Sequence, residues 1–367
     1  MKTGRTLSQL AIEIERQANA KRDFVAPTKA LQVIPQSTGE MNLEVGGKTN
    51  AAFPIQKVAH DQIREHVGIP AVYYNRMMSD APELFAKNVN YWFAANPVKR
   101  MVRTLDGNTR AFLSERFRTL ENIDLAEAAL PAIQEIGVDI ISCQITDQRL
   151  YIKCVDKTIN ADVPYGHKIG DGSHKFFDTC SPAIIISNSE VGLGRLTVET
   201  AIWTRMCTNL AISKERSLSK QHVGGKQGGL IDDGIYELLT DETRKATDKA
   251  VWLQVKDVVK GAFDKARFAA QIEKLKGMAE DKIEGDVPEV VEVAAKRFGL
   301  GDGERKSVLT HLIEGGDLSR YGLFNAITRT AEDIDSYDRA TEMERMGGSV
   351  MELTRDQWKE ISTAEAA

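Results

Sequence analysis

Within residues 98–213 three stretches place apolar residues at about every second position, and each is broken by turn-forming residues. That period places apolar side chains on one face of a strand, and a turn between two such runs makes a hairpin. The clearest is VKRMVRTLDGNTRAFLSERFR (98–118), whose Asp106-Gly107 pair suits a two-residue hairpin turn. DIISCQITDQRLYIKCVD (139–156) turns at Asp147, and SPAIIISNSEVGLGRLTVETAIWTRMCTNLAIS (181–213) turns at Gly192–Gly194. Hairpins interleaved with helical stretches exclude strict strand–helix–strand alternation. The expected fold class is α+β, with a largely antiparallel sheet built from β-hairpins and a helical C-terminal region.

The helical stretches carry their own punctuation. MKTGRTLSQLAIEIERQ reads as an amphipathic helix, and the stretch that follows, with Pro27 and Pro35, reads as loop. MNLEVGGKTNAAF (41–53) reads as two short strands around Gly46-Gly47. Val58, Ile63, Val67, Val72 and Met77 recur at helical spacing, with Gly68 ending one helix and Pro70 opening the next. IDLAEAALPAIQEIG has Asp124 in its first turn and Gly137 as its cap. Residues 160–180 read as a loop containing Gly, Asp and His, and 214–229 as a polar, Gly-rich, mobile segment. From about residue 230 an apolar stripe (Leu239, Ala246, Ala250, Leu253, Val258) signals helices to the end. The expected domains are an N-terminal helix and loop (1–40), a hairpin-rich core (41–229) and an acidic helical region (230–367).

Charge follows the same division. Residues 230–367 hold 20 Lys+Arg against 29 Asp+Glu, while 1–229 hold 28 against 24. A basic front and an acidic back suit an anion-facing domain followed by a solvating one, although two differently charged layers would look the same. No apolar run approaches the roughly 20 residues that span a bilayer. Glu13, Glu15 and Arg16 interrupt the N-terminal segment, so a cytoplasmic location with no membrane partner is expected. Cys143, Cys154, Cys180 and Cys207 form no CxxC pair, and three of them lie in strand-like apolar runs. They read as buried thiols.

No catalytic motif stands out. GGKQGG (224–229) follows a polar segment and carries its Lys inside the glycines, so it is a flexible loop rather than a phosphate cradle. GLGR (192–195) is a hairpin turn. His60 and His66 lie six apart on one helix and face different directions. His167 and His174 share the 160–180 segment with Asp162, Asp171 and Asp178, a composition that could gather a hydrolytic metal, yet polar loops often look alike. No metal and no cofactor is expected.

The hairpin faces are more informative. One face of 110–116 carries Arg110, Phe112, Ser114 and Arg116; one face of 149–153 carries Arg149, Tyr151 and Lys153. Residues 195–205 add Arg195, Trp203 and Arg205, with Lys99, Arg100, Arg103, Lys214, Arg216 and Lys220 at the hairpin edges. On one exposed sheet these would form a stacking platform inside a positive groove, where cations track phosphates and aromatic rings stack bases. The plainer reading is an antiparallel sheet with one wet face, or side chains packed under helices.

REHVGIPAVYYNRMM (64–78), FLSERFRTLENIDL (112–125), IIISNSEVGLGRLTVETAIWTRMCTNLAI (184–212) and SRYGLFNAITRTAEDIDSYDRA (319–340) resemble the domain-of-unknown-function family number 932, the phage/plasmid-like proteins. Its central signature falls on Asn188, Ser189, Gly192, Arg205, Cys207 and Asn209, with departures at Glu190-Val191 and at residues 208–210. The resemblance implies a gene of phages or plasmids near DNA-processing functions, with no established activity. The layout is also loosely similar to annealing proteins that bind single strands on rings of hairpins. The expected function is single-stranded DNA binding or annealing by a homo-oligomer without turnover. The alternatives are an enzyme acting on nucleotides or host-defence signals through His167, His174 and Asp178, and a partner-binding protein acting through the helical C-terminus.

Overall fold

The computed structural model describes residues 1–46, 51–169, 172–205, 209–222 and 241–365. Among the described residues the strands pair antiparallel and form three sheets. The largest has the order β12-β11-β10-β8-β7, with β9 on β10. Its strands are β7 (Asp139–Ile145), β8 (Leu150–Val155), β9 (Ala161–Ile169), β10 (Gly172–Asn188), β11 (Leu196–Thr204) and β12 (Asn209–Lys220). A second sheet runs β1 (Arg22–Pro27), β5 (Lys99–Leu105), β6 (Asn108–Ser114). A third joins β2 (Leu31–Pro35), β3 (Met41–Val45) and β4 (Ala51–Pro54). The α+β class and the helical C-terminal region read from the sequence are those of the structure.

The turn chemistry behaves as its residues dictate. Asp106 and Gly107 both have positive φ, 52° and 76°, the conformation a type I′ hairpin requires at both central positions. α2 (Lys57–Val67) ends at a left-handed Gly68, and α5 (Asn122–Ile136) ends at a left-handed Gly137. α3 (Ala71–Asp80) takes Pro70 as its N-cap, one position ahead of its first turn, and α4 (Pro82–Ala95) follows. α1 (Leu7–Ala20) is closed by a reciprocal Thr6–Gln9 capping box.

Two segments expected as loop are strand. Residues 22–35 supply β1, which pairs with β5, and β2, which pairs with β3. The 1–40 stretch is therefore woven into two sheets. Pro27 and Pro35 sit at strand ends, where a missing N–H costs no interior ladder bond. Residues 161–169 and 172–188 pair as β9 and β10 in place of the expected 160–180 loop. The backbone of 214–220 likewise continues β12 in place of a mobile segment. GGKQGG, Leu239 and Cys207 lie outside the described residues.

Helices cover the large sheet on both faces. On β8, Leu150, Ile152 and Cys154 share a core with α1, α5 and α6 (Asp241–Gly261). Tyr151 and Val155 point the other way, into a cluster with Tyr337 of α11 (Tyr337–Met351). Val163, Cys180, Ile202 and Ala211 join a third core with α7 (Lys265–Glu280), α8 (Val287–Phe298), α9 (Asp302–Gly315), α10 (Arg320–Thr330), α11 and α12 (Arg355–Ser362). The acidic helical region is thus packed onto the sheet. Gly348 lets α11 approach the backbone of β12, because a Cβ there would overlap the carbonyl of Ile212. Cys143, Cys154 and Cys180 are buried free thiols. Among the described residues no helix is long and apolar enough to cross a membrane.

Candidate functional site

Much of the expected stacking platform lies inside the protein. Phe112 is buried and stacks on Phe93 with ring centroids 5.6 Å apart. Tyr151 is buried and donates its hydroxyl to Asp338 at 2.8 Å. Lys153 is fully buried, with its Nζ 2.6 Å from Glu344 Oε2 and 4.6 Å from the centre of the Tyr337 ring. Burial pushes the Lys153 ammonium below the ordinary lysine range, against the pull of Glu344. Arg103 is fully buried and Arg110 nearly so. The expectation that Arg110, Phe112, Tyr151 and Lys153 lie on a wet face, with Arg103 adding charge at a hairpin edge, is therefore corrected. Both faces of their strands carry helices or loops, so the alternation that suggests a wet side here separates two cores.

The buried arginines meet at the turn between β10 and β11. Arg103 donates from Nε to Asp23 (3.0 Å), from Nη2 to Glu121 (2.6 Å) and from Nη1 to the carbonyl of Glu190 (3.0 Å). Arg110 donates to Glu190 Oε2 at 2.8 Å, while Glu190 Oε1 accepts the N–H of Asn122 at 2.7 Å. Asn188 donates to the Leu120 carbonyl (2.8 Å) and to Asn122 (2.9 Å), and Ser189 donates to the Gln148 carbonyl (2.8 Å). Gly192 has φ 78°, and a Cβ there would press on Leu113. Asn188, Ser189, Glu190 and Gly192 form a joint between the small β1-β5-β6 sheet and the large one. Asn209 has its backbone in β12, and its side chain lies outside the described residues.

His222 closes this joint. It stacks on Phe117 at 5.0 Å, with Nδ1 3.0 Å from the Arg118 carbonyl and Nε2 2.9 Å from Asn188 Oδ1. Burial pushes its pKa down from 6.5 to about 4, against the pull of the Arg118 carbonyl. The unfolded chain therefore takes up this proton first. The contribution of His222 to stability is whole above pH 6.5 and is lost as pH falls toward 4. Urea midpoints measured from pH 7 to 4.5 should fall more steeply for the native chain than for His222→Gln. Parallel curves would refute the assignment.

The other expected cations are scattered. Lys99 pairs with Glu115 at 3.7 Å, and Arg100 hydrogen-bonds His66 at 2.6 Å. Arg116 is exposed near the end of the first hairpin. Arg149 donates to the carbonyl of Leu193, and Arg195 reaches Ser219 at 3.5 Å. Arg195 and Lys220 lie at one end of β11 and β12, whereas Trp203 lies at the other, roughly 25 Å away at ~3.3 Å per residue. The side chains of Lys214 and Arg216 lie outside the described residues.

Trp203 and Arg205 remain together. They line a cavity of about 390 Å³ with Lys157, Asn160, Thr179 and Ser181. Trp203 is half-buried against the Tyr151 cluster, and Arg205 is exposed. Lys157 Nζ lies 5.7 Å from the Trp203 ring centre and 2.9 Å from Asp139. Ser181 faces Trp203 across the ladder, and the N–H of Arg205 donates to the Thr179 carbonyl at 2.9 Å. Lys157 and Asn160 follow β8 and carry no sequence signal toward Trp203. Only the pairing of β8 and β11 on either side of β10 brings them there.

A second cavity, about 520 Å³, lies between the β9–β10 hairpin and helices α9 and α10. Asp178, expected in a loop, lines it from β10 and accepts the hydroxyl of Tyr321 at 3.0 Å. His311 lines it from α9, and its Nε2 lies 2.7 Å from Asp333 Oδ2. His167 and His174 are register partners in the β9–β10 ladder, and their side chains lie outside the described residues. Among the described residues no group of three His, Cys, Asp or Glu side chains is placed to hold a metal. Comparison with protein-family models, with curated proteins and with solved structures finds no match to the chain.

Proposed function

We propose that this chain binds single-stranded DNA without turnover, as a homo-oligomer of the phage/plasmid-like kind acting in recombination or replication. The observation that carries the reading is Trp203, which lines one cavity together with Lys157, whose Nζ lies 5.7 Å from its ring centre, and Arg205. An aromatic ring flanked by cations is the unit from which single-strand sites are built. The reading now rests on this one end of the large sheet, because Arg103, Arg110, Phe112, Tyr151 and Lys153 are structural.

Binding of a labelled oligonucleotide at low salt tests it. Loss of one stacked base costs about 1–3 kcal/mol, so Trp203→Ala is expected to weaken binding at least fivefold. Lys157→Ala with Arg205→Ala should flatten the salt dependence by roughly 0.7 logarithmic units per decade of salt, as the loss of one shared phosphate contact on a single strand requires. No binding at low salt would sink the proposal.

A second reading, an enzyme acting on nucleotides, is favoured by one observation. Asp178 shares its cavity with an imidazole oriented by a carboxylate, His311–Asp333. Turnover against a nucleotide panel that His311→Ala abolishes would support it over simple binding.

A further inference from the structure

Resting on the nucleic-acid reading above, we propose that the Lys157–Arg205 cavity is a pocket for one nucleotide of a bound strand, enclosing its base and gripping its phosphate. It is not a stretch of continuous groove. The volume, about 390 Å³, falls within the range of roughly 300–1,000 Å³ typical of sites that enclose one small ligand. The pocket has three chemically distinct parts. Trp203 supplies an aromatic wall, and Lys157 and Arg205 supply cations. Asn160 and Ser181 supply an amide and a hydroxyl, each able both to donate and to accept, and Thr179 supplies a hydroxyl oxygen that can accept.

That third part distinguishes a pocket from a groove. A groove that tracks backbone needs only charge and stacking surface. Groups that both donate and accept beside the ring match the edge of a base, where donors and acceptors alternate. Ser181 is only 3% exposed, so it lies well below the rim. Thr179 is steadied across the β9–β10 ladder, since its hydroxyl donates to Asp162 at 2.8 Å.

Lys157 occupies the ring face where a base would stack. It is held there by Asp139, in a pair whose side chains are both at least half exposed. Exposed pairs of this kind contribute little, so an entering base displaces the ammonium, which then turns to the phosphate. Arg205 lines the same cavity on a backbone anchored to Thr179, so its guanidinium can fork onto the same phosphate.

The full chain should be titrated with deoxynucleoside monophosphates, with inorganic phosphate, with deoxyribose 5-phosphate and with a 20-nucleotide single strand. One monophosphate is expected per chain. The sugar phosphate and phosphate should bind at least tenfold more weakly, since they cannot stack. Binding should quench a part of the tryptophan fluorescence that is missing in Trp203→Phe, and Arg205→Gln should weaken it at least tenfold. If Trp203→Phe does not fold, Lys157→Gln with Arg205→Gln carries the test, as both side chains are on the surface. A strand that binds through Trp203 while monophosphates do not would overturn the pocket and leave strand binding standing. Monophosphates that bind while the strand does not would retain a nucleotide pocket and overturn strand binding. Equal binding of phosphate and nucleotide would overturn the base-enclosing site.

Discussion

Lys153→Met should lower the unfolding free energy by about 3–5 kcal/mol, the usual cost of removing one member of a buried ion pair. Lys153 and Glu344 are both fully buried, and their contact of 2.6 Å ties β8 to α11. Methionine keeps the aliphatic stem, so the loss reports the stranded Glu344 charge more than a cavity. Glu344 Oε1 has no hydrogen-bond partner among the described residues, so the pair is imperfectly satisfied even in the native protein. Lys153→Met with Glu344→Leu should therefore recover most of the loss, since well-packed apolar replacements of such pairs are often neutral or stabilising. Urea midpoints of the two single variants and the double variant decide this. A single variant within about 0.5 kcal/mol of the native chain would refute it.

Arg103→Ala should cost a similar amount, about 3–5 kcal/mol, because it strands Asp23 and the Glu190 carbonyl and leaves Glu121 with Lys21 alone. Its guanidinium reaches three directions at once, and a lysine ammonium cannot reproduce that fork. Arg103→Lys should therefore recover less than half of the loss, as read by the same midpoints. The folded fraction of either variant should bind oligonucleotide as the native chain does, because Arg103 is fully buried. A selective loss of binding with unchanged stability would return Arg103 to the DNA interface.

The two predictions mark where legibility in the sequence stopped. Hairpins were readable because turn chemistry is local: Asp106-Gly107 needs only its own backbone to adopt positive φ. Helix ends at Gly68 and Gly137 were readable for the same reason. β1, β2 and the β9–β10 pair were not, since their partners lie elsewhere in the chain or their residues look like loop. Charged side chains mislead for a related reason. Lys153 alternates with apolar neighbours as an exposed strand residue does, and the carboxylate that neutralises it lies 191 residues away.

At the candidate site the sequence marked Trp203 and Arg205 but not Lys157, Asn160, Thr179 or Ser181. Those four come from the turn after β8, from β10 and from the intervening connection, and strand order alone gathers them.

The sequence by itself determined the fold class, the hairpins and the helical C-terminal region, because periodicity and turn residues act over a few neighbouring positions. Only the tertiary structure decided which face of each strand was wet. That depends on whether a distant helix covers it, and α11, well over a hundred residues beyond β12, covers the face that carries Tyr151 and Lys153.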